Sequence, residues 1–285
     1  MTPLTRKKKS SFLLKNLVAL MATSIIIVIW WIFAETKFKD NGIIPSPIAT
    51  LQIIFVELQK PLFTKAVNAT LMRSICSFAV AFFTATFLAT ISARVKHINS
   101  FLSPFMTIFR AMPTMAIILI LLMIVGSKTL PIVIAFLVVF PLSYENMYEA
   151  IKGIDKQLLQ MARVFRVSRL RQLFSIYIPS ILPYMFACIV SGFGLNLKVI
   201  IAAEIMGLPT VSIGYQILTA KQGFDFSISF AWLIIAVVLS YVSEIILRGI
   251  GRFLIPWKYP DQKNVKTFFT KLFAFFKNIS TKGAK

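Results

Sequence analysis

The sequence predicts an all-α membrane protein of six transmembrane helices, with a long cytoplasmic loop between the fourth and fifth. Three observations carry this. The chain is 58% hydrophobic and only 14% charged, where a soluble chain sits near ~45–50% and ~25%. Apolar runs of membrane-spanning length recur six times, each near the ~20 residues a helix needs to cross a bilayer. The basic residues collect in alternate connections between these runs, the distribution that marks cytoplasmic segments.

The first run is 16–34, preceded by Arg6, Lys7, Lys8 and Lys9 in a basic stretch, 1–15. That charge pattern resembles a signal peptide. Leu17 to Phe33 is long for such a segment, and Phe33-Ala34-Glu35 is a poor cleavage site, so the run reads as an uncleaved first span. An outer segment, 35–68, follows. Pro45 and Pro47 extend its backbone, and Leu51, Ile54, Phe55 and Leu58 then repeat at helical spacing. This predicts a helix lying flat at the outer interface.

The remaining spans are expected at 69–93, 101–125, 129–148, 181–205 and 228–250. The transmembrane domain as a whole covers 16–257. Six spans put both ends of the chain on one side. The segments 1–15, 94–97, 149–180 and 248–285 would share that side, and they hold 22 of the 31 Lys and Arg residues. They are therefore read as cytoplasmic. The outer segment 206–227 contains Gly207, Pro209 and Gly214 and reads as a turn-rich loop. In the tail, 258–285, Phe268, Phe269, Leu272, Phe275 and Phe276 share a face, with lysines elsewhere. That pattern predicts a basic helix in the bilayer interface.

The loop 149–180 is the most positively charged interruption of the apolar pattern. Leu158, Met161, Ala162 and Phe165 fall on one helix face, and Leu170, Leu173, Phe174 and Tyr177 on another. Asp155 is placed to cap the first helix, and Pro179 to stop the second. One amphipathic helix could rest in lipid headgroups. Two in succession favour the groove of a protein partner.

Composition and motifs exclude other classes. A formal net charge of +21 raises nucleic acid as a partner, but the basic residues form no nucleic-acid module. Cys76 and Cys188 both fall inside spans and supply neither a disulfide framework nor a metal site. The lone His97 lies in an inner loop. There is no phosphate-binding loop and no nucleophile or zinc motif, so a membrane-embedded enzyme is disfavoured. What remains is a set of ionisable residues in or beside the spans, which are costly in lipid and usually face a bundle interior or a watery path. Arg110, with Pro113 placed to kink its helix, Lys198 and Glu204 are candidates for a translocation pathway. Snorkelling is the alternative for Arg110, and also for Arg73; an interfacial or base-paired carboxylate is the alternative for Glu204. A stand-alone secondary transporter or channel would need coupling carboxylates near mid-membrane, whereas Glu204 and Glu244 lie near span ends.

The loop also carries a motif. Gln160-Met161-Ala162, Arg166 after three intervening residues, and Ile176-Tyr177-Ile178-Pro179 resemble Glu-Ala-Ala, three residues, Gly, nine residues, Ile-x-Leu-Pro. That pattern belongs to the membrane subunit, or permease, of bacterial ABC importers that depend on a binding protein. Ala162, Ile176 and Pro179 match it; the Glu, first Ala, Gly and Leu positions differ. Pro45-Ser46-Pro47, Thr70-Leu71-Met72-Arg73, Arg110-Ala111-Met112-Pro113, Leu182-Pro183, Ala203-Glu204-Ile205-Met206 and Ile213-Gly214-Tyr215 resemble the nitrate, sulfonate and taurine branch. That branch also holds permeases for thiamine precursors.

The resemblance implies a type I importer permease in the bacterial cell membrane. It implies a second permease copy, in a homodimer, a cytoplasmic ATPase dimer and an extracytoplasmic substrate-binding protein. It implies no cofactor bound by this chain, ATP being used by the partner subunit. It makes the loop a coupling element, with Leu158, Met161, Ala162, Phe165, Arg166, Leu170 and Phe174 docking on the ATPase. Arg166 stands where the family has Gly. A glycine there permits a left-handed turn, so the turn is expected to differ or to use right-handed geometry.

Overall fold

The computed structural model describes residues 4–36 and 44–255. All regular structure among the described residues is helical. The basic interfacial helix expected at 258–285 lies outside them. The helices are α1 (Leu4–Thr36), α2 (Pro47–Gln59), α3 (Pro61–Arg94), α4 (Lys96–Ala111), α5 (Thr114–Lys152), α6 (Lys156–Val164), α7 (Arg169–Gln172), α8 (Ile178–Gly207), α9 (Ile213–Gln222) and α10 (Phe226–Leu254). A π-helical turn, Leu173–Tyr177, joins α7 to α8.

Among the described residues, four helical stretches are long and apolar enough to cross a membrane: Pro61–Arg94, Thr114–Lys152, Arg169–Gly207 and Phe226–Leu254. The apolar part of α1, Leu20–Thr36, is shorter. The expected six-span count is therefore met only in part, and the discrepancy centres on 101–125 and 129–148. Helix α4 ends at Ala111, because the Pro113 ring disfavours helical backbone at Met112, whose φ/ψ is extended. Helix α5 then begins at Thr114 and runs 39 residues, interrupted at Gly126, whose φ of 72° is left-handed. An unbroken helix of that length would reach about 58 Å, nearly twice the hydrocarbon thickness. One expected span is thus two helices, and its second half runs into the next through a glycine kink.

Two further boundaries move. Helix α3 starts at Pro61, eight residues before the expected span, directly after α2. Helix α2 has the predicted position: Ser46 caps it, its Oγ accepting from the Ala49 amide at 3.3 Å. The segment 206–227 is more than a turn-rich loop, since α9 occupies its middle, capped by the Ser212 hydroxyl accepting from the Tyr215 amide.

The chain divides into two compact units. The smaller comprises Met1–Val67 and Val211–Ala236. Within it Trp232, fully buried, lies against Phe63 with ring centroids 5.8 Å apart. The larger comprises Asn68–Thr210 and Val237–Lys285. Its core joins Ile118, Leu130, Ile134 and Ala135 of α5 to Val199, Ile200 and Ala203 of α8. Gly207 allows this approach, since a Cβ there would lie 2.9 Å from Leu130 Cδ2. Two turns earlier on α8, Phe193 packs edge-on to Phe78 of α3 at 5.5 Å. Many large apolar side chains remain exposed, including Phe83, Phe87, Met123 and Ile124, as a surface in contact with lipid permits.

Candidate functional site

Two places in the larger unit concentrate polar and charged groups. The first is the interhelical connection. Helix α6 starts where expected, with Asp155 Oδ1 accepting from the Gln157 amide at 2.8 Å. It ends in a Schellman turn: the Arg166 amide donates to Arg163 O at 3.0 Å and the Val167 amide to Ala162 O at 2.9 Å. Arg166 occupies the left-handed position of this turn, with φ of 49°. The expectation of a right-handed or different turn is overturned. The two turn hydrogen bonds hold arginine in the conformation that glycine adopts without strain. The Gln172 side chain then braces the turn, its Nε2 donating to Val167 O at 2.7 Å.

Around this turn, Leu158, Met161, Phe165, Leu170 and Phe174 all expose apolar surface, and Arg166 is exposed too. Phe165 is 74% exposed. Ala162 differs from its neighbours: it is buried, at 3% exposure, so its side chain faces into the chain. The second half of the loop also differs from expectation. It is not a helix stopped by Pro179, because α7, the π turn and α8 run on without a break from Arg169 to Gly207. Proline removes one helical N–H and crowds the carbonyl four residues back. The wider π turn immediately ahead of Pro179 accommodates both effects.

The second place is a buried polar ladder between α3 and α8. Glu204 is 0% exposed. Its carboxylate receives Arg73 Nη1 at 2.8 Å and the Thr70 hydroxyl at 2.9 Å. A buried carboxylate is tolerable only with such partners. Deeper along the same helices, Asn196 donates to Ser74 O at 2.8 Å and accepts from the Ser77 hydroxyl at 3.1 Å. Glu204 is thus paired with a base, Arg73, from another helix. Ser74, Ser77 and Asn196 were not singled out from sequence, and Thr70 only as part of a motif. The signal was present: positions 70, 73, 74 and 77 form a polar stripe at helical spacing, as do 196 and 204 at two turns.

Arg110, in the last turn of α4, forms an ion pair with Glu145 of α5. A second α4–α5 link is the Tyr144 hydroxyl donating to Asn99 Oδ1 at 3.1 Å. Pro113 is exposed at the break between the two helices. Lys198 is exposed on α8, six residues before Glu204 and on another face, and does not join the ladder. Among the described residues no carboxylate lies within ion-pair distance of Lys198. Also among the described residues, no group of three His, Cys, Asp or Glu side chains could hold a metal ion.

The family described as binding-protein-dependent transport system inner membrane component matches residues 77–256, which include the α6 connection, Glu204 and Lys198. The chain belongs to this family. It is thus a membrane-embedded transport component. It is similar to a putative aliphatic sulfonates transport permease protein of Bacillus subtilis (strain 168), with 25% identity over 245 residues, covering 84% of this chain and 87% of the relative. It is also similar to the taurine transport system permease protein of Escherichia coli (strain K12), 19% identical over 243 residues, covering 82% and 87%. The fold resembles a bacterial ABC transporter involved in the import of the acidic polysaccharide alginate, with a TM-score of 0.56 at 18% identity over 88% of this chain and 99% of that one.

Proposed function

We propose that this permease is the membrane subunit of an ATP-driven importer, and that two copies form a pathway for a small anionic solute. The observation that carries the coupling role is α6. It is a nine-residue helix between two spans, capped at one end by Asp155 and locked at the other by the Arg166 turn. It presents Leu158, Met161 and Phe165 outward. A preformed apolar projection of this kind is ready to enter a groove without ordering cost. Leu170 and Phe174 extend the surface, and Arg166 adds charge at its edge. The occupant of that surface is a cytoplasmic ATPase dimer, which hydrolyses ATP; this chain binds no cofactor. An extracytoplasmic binding protein delivers solute at the opposite face. The excess of basic residues in 1–15, 149–180 and 248–285 supports cytoplasmic termini.

An anionic solute is favoured by the intramembrane charges. Arg73 and Arg110 are each held by a carboxylate, which leaves Lys198 as an exposed cation on a spanning helix. The two relatives above carry the names of sulfonate and taurine permeases, and taurine is itself a sulfonate. The decisive experiment is co-purification of the permease with its ATPase, together with coupled uptake. Phe165→Asp places a charge on the exposed surface of the projection and abolishes both. A complex that survives this change with normal uptake overturns the docking role. Ala162→Asp is a less direct test, because Ala162 is buried within the chain.

A further inference from the structure

Between the first half of α8 and the second half of α10 lies a groove of ≈ 340 Å³. One wall is apolar: Phe186, Ala187 and Val190 of α8. The other carries Glu244, Arg248 and Arg252 of α10. Gly251 lets the two helices close over the floor, since a Cβ there would meet Phe186 Cδ1 at 3.0 Å. Arg248 is engaged by Glu244. Arg252 is exposed, and among the described residues it has no carboxylate within ion-pair distance.

An apolar trough with an exposed guanidinium, Arg252, beside the Glu244–Arg248 pair selects a ligand of two parts. One part is a hydrocarbon chain; the other is an anionic head able to accept from a planar donor fork. Charge argues against the nearer alternatives. The chain leaving the groove, 256–285, holds seven lysines and one aspartate, so it repeats the sign of the groove. A second copy meeting the same face would bring arginine against arginine. An acidic phospholipid satisfies both halves. The groove also lies at the end of α8 that follows the α6 connection. On the proposed orientation this end lies at the cytoplasmic leaflet, where anionic lipid attracts basic residues.

We propose that this groove binds an acidic phospholipid, its phosphate at Arg252 and one acyl chain along Phe186, Ala187 and Val190. The orientation proposed above motivates the inference, but the test does not depend on it. Full-length protein in detergent is titrated with phosphatidylglycerol or phosphatidylcholine, and retained lipid is counted by native mass spectrometry. Phosphatidylglycerol is retained selectively. Arg252→Gln weakens it about fivefold, as loss of one basic contact near an anionic surface does. Ala187→Trp, which fills the trough, abolishes it. Lys128→Gln, an exposed lysine elsewhere in the same unit, leaves it unchanged.

Equal retention of the two lipids overturns the proposal, and so does an equal loss in Lys128→Gln, which would mean diffuse surface attraction. Competition by glycerol phosphate as effective as the lipid itself would show an anion site and no lipid site. Loss of dimer in Ala187→Trp with lipid retention intact would show that a second copy covers the groove, again overturning it. Should Ala187→Trp fail to fold, Arg252→Gln decides alone, because its exposed side chain leaves the packing untouched.

Discussion

Arg166 carries a left-handed backbone where glycine would carry it freely. The strain is of order ~1 kcal/mol, and the two Schellman hydrogen bonds oppose it. Arg166→Gly therefore raises the thermal midpoint of the purified permease by about 2–4 °C at most. Arg166→Val, with a branched Cβ at the same φ, lowers it. From sequence the turn looked altered because arginine resists this conformation; hydrogen bonds that no single-residue preference encodes override that resistance. Glu204 makes the complementary case. Its burial was hidden, because a carboxylate near a span end reads equally well as interfacial. Glu204→Leu strands Arg73 and costs about 3 kcal/mol. The double change Arg73→Met with Glu204→Leu recovers more than half of that loss. A thermal-unfolding double-mutant cycle measures both, and purely additive losses would show that the two side chains act separately.

Helices were legible wherever apolar periodicity ran unbroken, and their joints were not. Helix α2 followed from the spacing of Leu51, Ile54, Phe55 and Leu58, and the start of α6 from Asp155, because spacing and caps are local. Asp155→Ala removes the bond to the Gln157 amide and costs the α6 start about 1 kcal/mol. Faster hydrogen exchange confined to the first turn of α6 is the expected readout. Pro113, Gly126 and Pro179 were harder to read, since each admits a break, a kink or a bulge. Pro113 breaks, Gly126 kinks, and the chain passes Pro179 by widening into a π turn. Pro179→Ala restores the missing N–H and removes the crowding at Ser175. The π turn then relaxes to an α-helix. That relaxation rotates Leu170 and Phe174 by about 100° relative to α8. The expected result is a permease at least as stable in thermal unfolding, with reduced coupled uptake.

At the scale of the whole molecule, composition and the distribution of lysine and arginine were enough to predict a helical membrane protein. They could not predict which basic residues inside the spans are neutralised, because pairing joins residues far apart in sequence. Arg73 meets Glu204 across 131 residues, and Arg110 meets Glu145 from the next helix. Lys198, by contrast, is exposed on α8 among residues otherwise buried at Leu197, Val199 and Ile200. An ammonium on a spanning helix is costly unless it meets water or an anion. Placing it on the pathway gives that cost a use, since it attracts a negatively charged solute through a watery path that salt can enter and screen. Lys198→Gln should then lower coupled uptake of an alkylsulfonate about tenfold, the effect of losing one charged contact of ~1.4 kcal/mol. Lys198→Glu should lower it further through repulsion. Neither change should alter co-purification with the ATPase. Uptake assays across ionic strength separate this from a folding defect, because only an electrostatic role makes the wild-type advantage shrink as salt rises. If both variants transport at the wild-type rate, Lys198 lies off the pathway and the solute is selected elsewhere.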